Sequence, residues 1–205
     1  MLQNRVDPYG HLIRTPARGA WMGNRGLLHN EHQQIQRTFK LKAWITCVLE
    51  FKGRKRTVMA PHRYTELFFP DEATAFSAGH RPCFECRRAD AQRFKAAWLQ
   101  GNPDAGFNEQ TSINHIDNLL HAERINKKGE KVTYDAAAGT LPDGTFIVYN
   151  DHPHVIAGGQ LYPWHATGYG TAVPLPAGHM VTVLTPRSIV NAFNAGYHPQ
   201  RQLPA

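Results

Sequence analysis

The sequence lacks any apolar run close to the roughly 18 residues that cross a membrane, which argues against an integral membrane protein. Residues 1–18 mix polar residues, charges and prolines, and they contain no apolar stretch typical of a signal peptide. Cysteine is scarce: there are three, and an odd number without a secretion signal argues against a disulfide scaffold. We therefore expect a cytoplasmic protein in a reducing environment, without a membrane partner.

Common enzyme signatures are also missing. The sequence contains no phosphate-binding P-loop, no GxSxG elbow, no HExxH and no dinucleotide-binding fingerprint. Acidic residues are few, 16 against 23 Lys and Arg, and the formal net charge is +7 with neutral histidines. Such a charge favours a polyanionic partner, and we expect nucleic acid, DNA in preference to RNA. No feature of the sequence indicates an oligomeric state.

Hydrophobic residues make up 41% of the 205 residues, enough to bury the core of one domain or two small ones. Turn-forming residues crowd residues 1–40, where one short helix over 28–40 is predicted. The β-branched and aromatic residues 44–51 predict a strand that pairs with residues 56–59, forming a hairpin over 43–60.

Helical spacing and short apolar runs alternate in the remainder of the chain. Helices are predicted over 70–79, over 87–99, after a cap at Thr111 or Ser112, and from Thr185 to Gly196. Short strands at 145–149, 154–157 and 160–164 predict an antiparallel meander, with a further strand at 181–184. The predicted fold class is α+β, with an arm and metal-binding region over 1–100 and an α+β region over 101–205, which can pack as one domain.

The most informative motif is Cys83-Phe84-Glu85-Cys86. Two residues between the cysteines allow a turn that directs both sulfurs at one metal ion, and thiolates suit zinc. A redox dithiol is the second interpretation, but the thioredoxin-like βαβ context is missing. A pair of unbound thiols is the third.

Residues around this motif resemble a known module. Phe68-Phe69, a short helix and then Ala78-Gly79-His80-Arg81-Pro82-Cys83-Phe84-Glu85-Cys86-Arg87 are similar to the metal-binding module of Ada-type methylated-DNA repair proteins. The resemblance covers about 20 residues closely and leaves more than half of the chain unexplained. Residues 192–199 repeat the helix, glycine and proline of residues 75–82 without cysteines, so the specific part is Arg-Pro-Cys-x-x-Cys-Arg.

The resemblance implies a zinc ion held by four cysteines, two from a hairpin and two from the CxxC motif. Cys83 and Cys86 correspond directly, Cys47 corresponds to one hairpin cysteine, and the other is absent. His62 is the expected substitute, giving a Cys3His site, with His80, His29 and His32 as further candidates. Without a fourth ligand the site keeps an open position. In that family a zinc-bound cysteine accepts a methyl group, a role that would fall to Cys47 here.

Cationic side chains near these segments are candidates for contacts with phosphates. A positive turn in the predicted hairpin, helical residues after the CxxC motif and an arginine in an Asn-Arg-Gly turn all suit this role. An ordinary solvated loop or face is the alternative for each. The candidates are Lys52, Arg54, Lys55, Arg56, Arg87, Arg88, Lys95 and Arg25.

A candidate catalytic pair lies in the second half of the chain. Asp117 and His121 are four residues apart on a predicted helix and therefore share a face, and a carboxylate that orients an imidazole is a general-base arrangement. A solvated helix face with the same residues is the alternative.

Three functions follow from these observations. The first is a zinc-stabilised nucleic-acid-binding protein of DNA repair or processing. The second is a nuclease or base-modifying enzyme that uses His and Asp residues of the second half. The third is a small-molecule hydrolase or an interaction protein, in which the positive charge is incidental.

Overall fold

The computed structural model describes residues 1–55, 57–176 and 178–204. Over these residues the fold is α+β, as predicted, with two sheets of mostly antiparallel strands and four α-helices. The first part contains β1 (Arg5–Val6), β2 (Leu12–Ile13), β3 (Trp21–Asn24), β4 (Ile45–Cys47), β5 (Leu67–Phe69), α1 (Glu72–Ser77) and β6 (Arg81–Pro82). The remainder contains α2 (Arg88–Gly101), α3 (Ile113–Arg124), β7 (Tyr134–Ala137), β8 (Phe146–Tyr149), β9 (His152–Ala157), β10 (Gln160–His165), β11 (Gly168–Tyr169), β12 (Val173–Pro174), β13 (Met180–Val183) and α4 (Arg187–Asn194).

The first sheet brings together strands that are distant in sequence. Its order is β2-β1-β5-β3-β4-β6, and the β1–β5 and β4–β6 pairs are parallel. Strand β4 lies between β3 and β6, with Cys47 opposite Met22 and Thr46 opposite Pro82. Because the CxxC motif follows β6 directly, this arrangement carries Cys47 to the motif.

The predicted hairpin over 43–60 is wrong. The neighbours of β4 are β3 and β6, and no described residue of 57–59 belongs to a strand. Met59 is fully buried with a positive φ of 54°, and its N–H donates to the Glu66 carboxylate at 2.8 Å. That conformation is incompatible with a returning strand.

The predicted helix over 28–40 is also wrong, and the first 40 residues contain three short strands instead. The Asn30 side chain accepts hydrogen bonds from the backbone N–H groups of His32 and Gln34, each at 3.0 Å. Such local side-chain bonds favour turns over helix.

The other predicted helices and strands are confirmed, with shifts of a few residues at their ends. Asp71 caps α1 through its bond to the Thr74 N–H, Ser112 caps α3, and Gly79 follows α1 with a φ of 83°. The predicted meander corresponds to β8, β9 and β10 in the second sheet, whose order is β11-β10-β9-β8-β13-β7 with β12 beside β10.

Helices α2 and α4 pack together, and the largest apolar cluster joins residues from both halves of the chain. It includes Phe76, Trp98, Ile116 and Phe193, all at most 3% exposed. This cluster supports α1 and α2, which flank the CxxC motif. Among the described helices, none combines the length and apolar character needed to span a bilayer.

Candidate metal centre

Three cysteines from two separate segments meet at one point. The sulfur atoms of Cys47, Cys83 and Cys86 all lie within 4.8 Å of one another. Cys47 and Cys83 are buried, and Cys86 is partly buried. Sulfur donors of this number and spacing suit one soft metal ion such as zinc.

Backbone hydrogen bonds explain why the CxxC turn directs its sulfurs toward β4. The Cys83 N–H donates to Thr46 O at 2.9 Å, which extends the β4–β6 pairing by one residue. The Arg87 N–H donates to Cys83 O at 3.0 Å and closes the turn, while the Glu85 N–H lies 3.4 Å from Cys83 Sγ. A sulfur that accepts from backbone amides is stabilised as a thiolate.

The three thiols differ in their acidity. Hydrogen bonding from the Cys47 thiol, followed by backbone N–H groups of Cys86 and Glu85, lowers the pKa of Cys83 to about 5. The same bond to Cys83, together with burial, raises the pKa of Cys47. Burial raises the pKa of Cys86. The protein alone thus stabilises one thiolate, and a bound dication would compensate the deprotonation of the other two thiols.

The cysteines line a cleft of about 120 Å³. Phe51, Tyr64, Arg54 and Glu85 form part of its wall, and the guanidinium of Arg54 donates to Glu85 Oε1 at 2.7 Å. Glu85 is a residue that the sequence interpretation did not single out, although it lies between the two motif cysteines. Its position between the two cysteines was the sequence signal that could have identified it as part of the site.

The prediction that His62 is the fourth ligand is wrong. Its imidazole is exposed, with Nε2 3.4 Å from Glu31 Oε1, and it does not belong to the three-thiol group. His62 lies in a turn with a φ of 62°, and its side chain is 80% exposed. Within the described part of the chain, no His, Asp or Glu joins the three cysteines.

The other histidine candidates have different partners. His80 accepts a hydrogen bond from Arg25 Nε at 3.2 Å. His29 contacts Thr65 Oγ1 at 2.6 Å and Ala60 O at 3.2 Å. His32 is exposed.

The candidate phosphate-binding cations differ in their exposure and in their partners. Lys52, Lys55 and Arg88 are exposed, and Arg54 is exposed while paired with Glu85. The Lys95 ammonium donates to the carbonyl oxygens of Glu109 and Thr111, each at 2.7 Å. Arg56 lies outside the described residues.

Arg87 and Arg25 are buried, so the prediction that they face solvent is wrong. Arg87 pairs with Glu72 at 2.5 Å and Asp90 at 2.9 Å, and its guanidinium lies 3.9 Å from the Trp21 ring. Arg25 is 1% exposed and donates to Gly10 O at 2.9 Å. Arg87 therefore anchors the start of α2 instead of occupying its polar face.

The predicted Asp117–His121 pair does not form. Both carboxylate oxygens of Asp117 accept from Arg81, at 2.8 and 2.7 Å. The Nδ1 atom of His121 lies 3.1 Å from an Arg124 nitrogen, and burial followed by the charge of Arg124 lowers the pKa of His121. Because the Asp117 carboxylate is bound to Arg81, Asp117 and His121 do not form a general-base arrangement.

No family model matches the chain, and neither a curated protein nor a solved structure matches it significantly. The similarity to the Ada-type module therefore rests on the residues around the CxxC motif alone.

Proposed function

We propose that this protein is a zinc-centred nucleic-acid-binding protein of DNA repair or processing. The observation that carries the proposal is the convergence of three sulfurs, from Cys47, Cys83 and Cys86, within 4.8 Å. Zinc bound there would stabilise the folded state, because its ligands come from separate parts of the chain. The chemistry requires reduced thiols, as in a cytoplasm.

The residues fit a zinc ion by donor type, number and burial. Zinc prefers thiolate ligands, and two of the three cysteines are buried where a metal would be shielded from water. Three protein ligands leave one position for water or for an atom of a ligand. The cleft beside the cysteines supplies space for that atom.

Positive side chains beside the cleft support a phosphate partner. Lys52, Arg54 and Lys55 are exposed on the segment that follows β4, and Arg54 is part of the cleft wall. The net charge of +7 acts in the same direction. Each cation that neutralises a phosphate releases counterions, so binding would weaken steeply as salt rises.

The enzyme alternative receives no support from the predicted pair, because Asp117 is held by Arg81 and not by His121. In the third alternative the positive charge is incidental, and a gel-shift salt series distinguishes that alternative from the proposal.

Two measurements on the same preparation test the proposal. Elemental analysis of protein purified without added zinc should find about one zinc per chain, and C83S should lose it. A gel-shift salt series should give a slope in log K against log salt of about −0.9 for each phosphate contacted on duplex DNA and about −0.7 on single strands. Folded protein without metal would overturn the zinc centre, and binding that is absent or indifferent to salt would overturn the nucleic-acid function.

A further inference from the structure

A second cavity, of about 220 Å³, lies apart from the cysteines and is lined by none of them. Its polar wall contains Arg25, Arg124 and Lys131, and its apolar wall includes Leu12, Ile35 and Trp44. The cationic residues come from the end of β3, the end of α3 and the turn after α3. The fold thus brings three positive side chains together in the wall of one cavity.

Two of these cations lie over the ring of one indole. The guanidinium carbons of Arg25 and Arg124 lie 3.9 and 4.0 Å from the centre of the Trp44 ring. Arg124 donates to Gly79 O at 2.8 Å and also to Lys42 O, and Arg25 donates to Gly10 O. These contacts fix the orientation of both guanidiniums without neutralising them.

Each arginine keeps one buried nitrogen without a partner. Within the described residues, Arg25 Nη2 and Arg124 Nε make no hydrogen bond, although both side chains are at most 2% exposed. Buried donors of this kind are rare, because an unmade bond leaves the full cost of desolvation. An oxygen-rich ligand in the cavity would satisfy the donors that reach it.

These three cations also have no directly paired carboxylate among the described residues. Across the described residues, no carboxylate oxygen lies within 4.0 Å of a charged nitrogen of Arg25, Arg124 or Lys131. The nearby acids Asp7 and Asp117 partly offset the lowering of the pKa values of these cations, but each is directly paired with another residue, Asp7 with His11 at 3.3 Å and Asp117 with Arg81 at 2.7 Å.

The pKa values of all three cations are lowered. Burial and then the charge of Arg124 lower the pKa of Arg25 to about 9, and burial lowers the pKa of Arg124 to about 9 as well. Burial and then the charge of Arg25 lower the pKa of Lys131 to about 7, with its ammonium donating to Ser77 O. A bound anion would raise each of these pKa values, because a nearby negative charge favours the protonated cation.

We propose that this cavity binds a phosphomonoester, with the phosphate at Arg25, Arg124 and Lys131 and the organic part against Leu12, Ile35 and Tyr9. Two guanidiniums and an ammonium suit the charge and the several acceptor oxygens of a phosphate dianion. The volume exceeds that of a bare phosphate, so part of the cavity is left for an apolar group. The ester can come from a free sugar phosphate or nucleotide, or from the 5′-phosphate of a nucleic-acid strand.

Calorimetry on the full chain tests this site with ribose 5-phosphate, inorganic phosphate and ribose as probes. Ribose 5-phosphate should bind more tightly than inorganic phosphate, and ribose should not bind. K131M should weaken binding by about 10- to 100-fold, the value of one charge-assisted hydrogen bond. K128Q is the matched control, because Lys128 is exposed on the same turn and does not line the cavity.

Absence of binding by ribose 5-phosphate at millimolar concentration would overturn the inference, and so would K131M binding as tightly as the wild type. Circular dichroism shows whether K131M is folded. If it is not, R124K provides a second test of the site. Comparing 5′-phosphorylated with 5′-hydroxyl oligonucleotides identifies the source of the ester: tighter binding of the phosphorylated strand indicates a strand end, and equal binding indicates a free metabolite. Since no cysteine lines the cavity, loss of the zinc centre leaves this result interpretable.

Discussion

Arg81 donates to both carboxylate oxygens of Asp117, and the two side chains are only 5% and 3% exposed. This paired contact joins β6, which precedes the CxxC motif, to the middle of α3. It gives Asp117 a structural role in the interior instead of a role as a catalytic base.

D117N should lower the free energy of unfolding by about 3 to 5 kcal/mol, because it leaves the buried Arg81 charge unpaired. Chemical denaturation at neutral pH measures the loss. R93Q is the matched control, since Arg93 pairs with Asp90 at 2.5 Å but is 73% exposed, and its loss should cost less than about 1 kcal/mol. A D117N variant as stable as R93Q would contradict the structural role.

Replacing both partners separates the cost of an unpaired buried charge from the net contribution of the ion pair. R81L/D117L should recover part of the stability lost in D117N, because no uncompensated charge remains. A double variant no more stable than D117N would contradict this expectation, and its difference from the wild type measures the net contribution of the pair relative to two leucines.

Removal of zinc should destabilise the fold. C47S and C86S should each lose metal and unfold at lower temperature than the wild type, because an ion held by the three cysteines would join β4 to the segment after β6. H62A is the control and should keep both metal and melting temperature, since His62 pairs with Glu31 at the surface. Loss of zinc in H62A would instead restore the Cys3His interpretation.

The exposed lysines beside the cysteine cleft should determine part of the salt dependence of DNA binding. K52Q/K55Q should reduce the magnitude of the slope of log K against log salt by about 0.9 for each phosphate that is no longer neutralised. K127Q/K128Q removes the same charge from the exposed turn after α3. Equal effects of the two double variants would indicate general attraction and no localised interface at the cleft.

The pKa of Lys131 gives the cavity a pH dependence that sulfate can reveal, because sulfate stays a dianion throughout the neutral range. Protonated Lys131 attracts the anion, so affinity should fall as pH rises through about 7, the lowered pKa of the empty site. Arg25 and Arg124 retain their protons there, since their pKa values are about 9. Titrations between pH 6 and 8.5 measure the change.

K131M should bind sulfate more weakly and lose most of that pH dependence. His11 also lines the cavity, beside Asp7, and Tyr9 lies next to them. H11Q therefore serves as the control and should retain the fall in affinity. A wild-type affinity that is constant across the range would contradict the assignment to Lys131.

Two glycines in similar sequence contexts should differ in their tolerance of alanine. Gly79 and Gly196 both have positive φ, 83° and 96°, so each alanine should cost about 1 kcal/mol from backbone strain. At Gly79 a Cβ would also lie 2.5 Å from Arg124 Cδ, whereas at Gly196 no atom lies within 4 Å. G79A should therefore cost about 1 to 3 kcal/mol more than G196A in denaturant unfolding. Equal losses would show that Arg124 moves freely.

Local patterns in the sequence were sufficient for the fold class and for most helices. The predicted cap at Thr111 or Ser112 and the glycine after α1 are short-range signals, and each helix they predicted is present. The CxxC motif likewise gave two of the three clustered cysteines from spacing alone. Cys47 was found through the family resemblance, and β4 does carry it to that motif.

Features that depend on long-range pairing were not accessible. The partners of β4 are β3 and β6, which no local pattern identifies, and this is why a hairpin was expected instead. The burial of Arg87 follows from its pairing with Glu72 and its contact with Trp21, both remote from the helix whose periodicity placed it at the surface. The Arg25, Arg124 and Lys131 cavity exists only after folding, so the sequence contains no spacing signal for it.

The contact between Arg25 and His80 determines which ring nitrogen of His80 carries the proton. Arg25 Nε donates to His80 Nε2, and burial together with the nearby arginines lowers the pKa of His80, so the ring is neutral and protonated at Nδ1. That single tautomer cannot switch without breaking the arginine contact. His80 therefore keeps one neutral form beside Arg25, and it cannot relay protons while that contact holds.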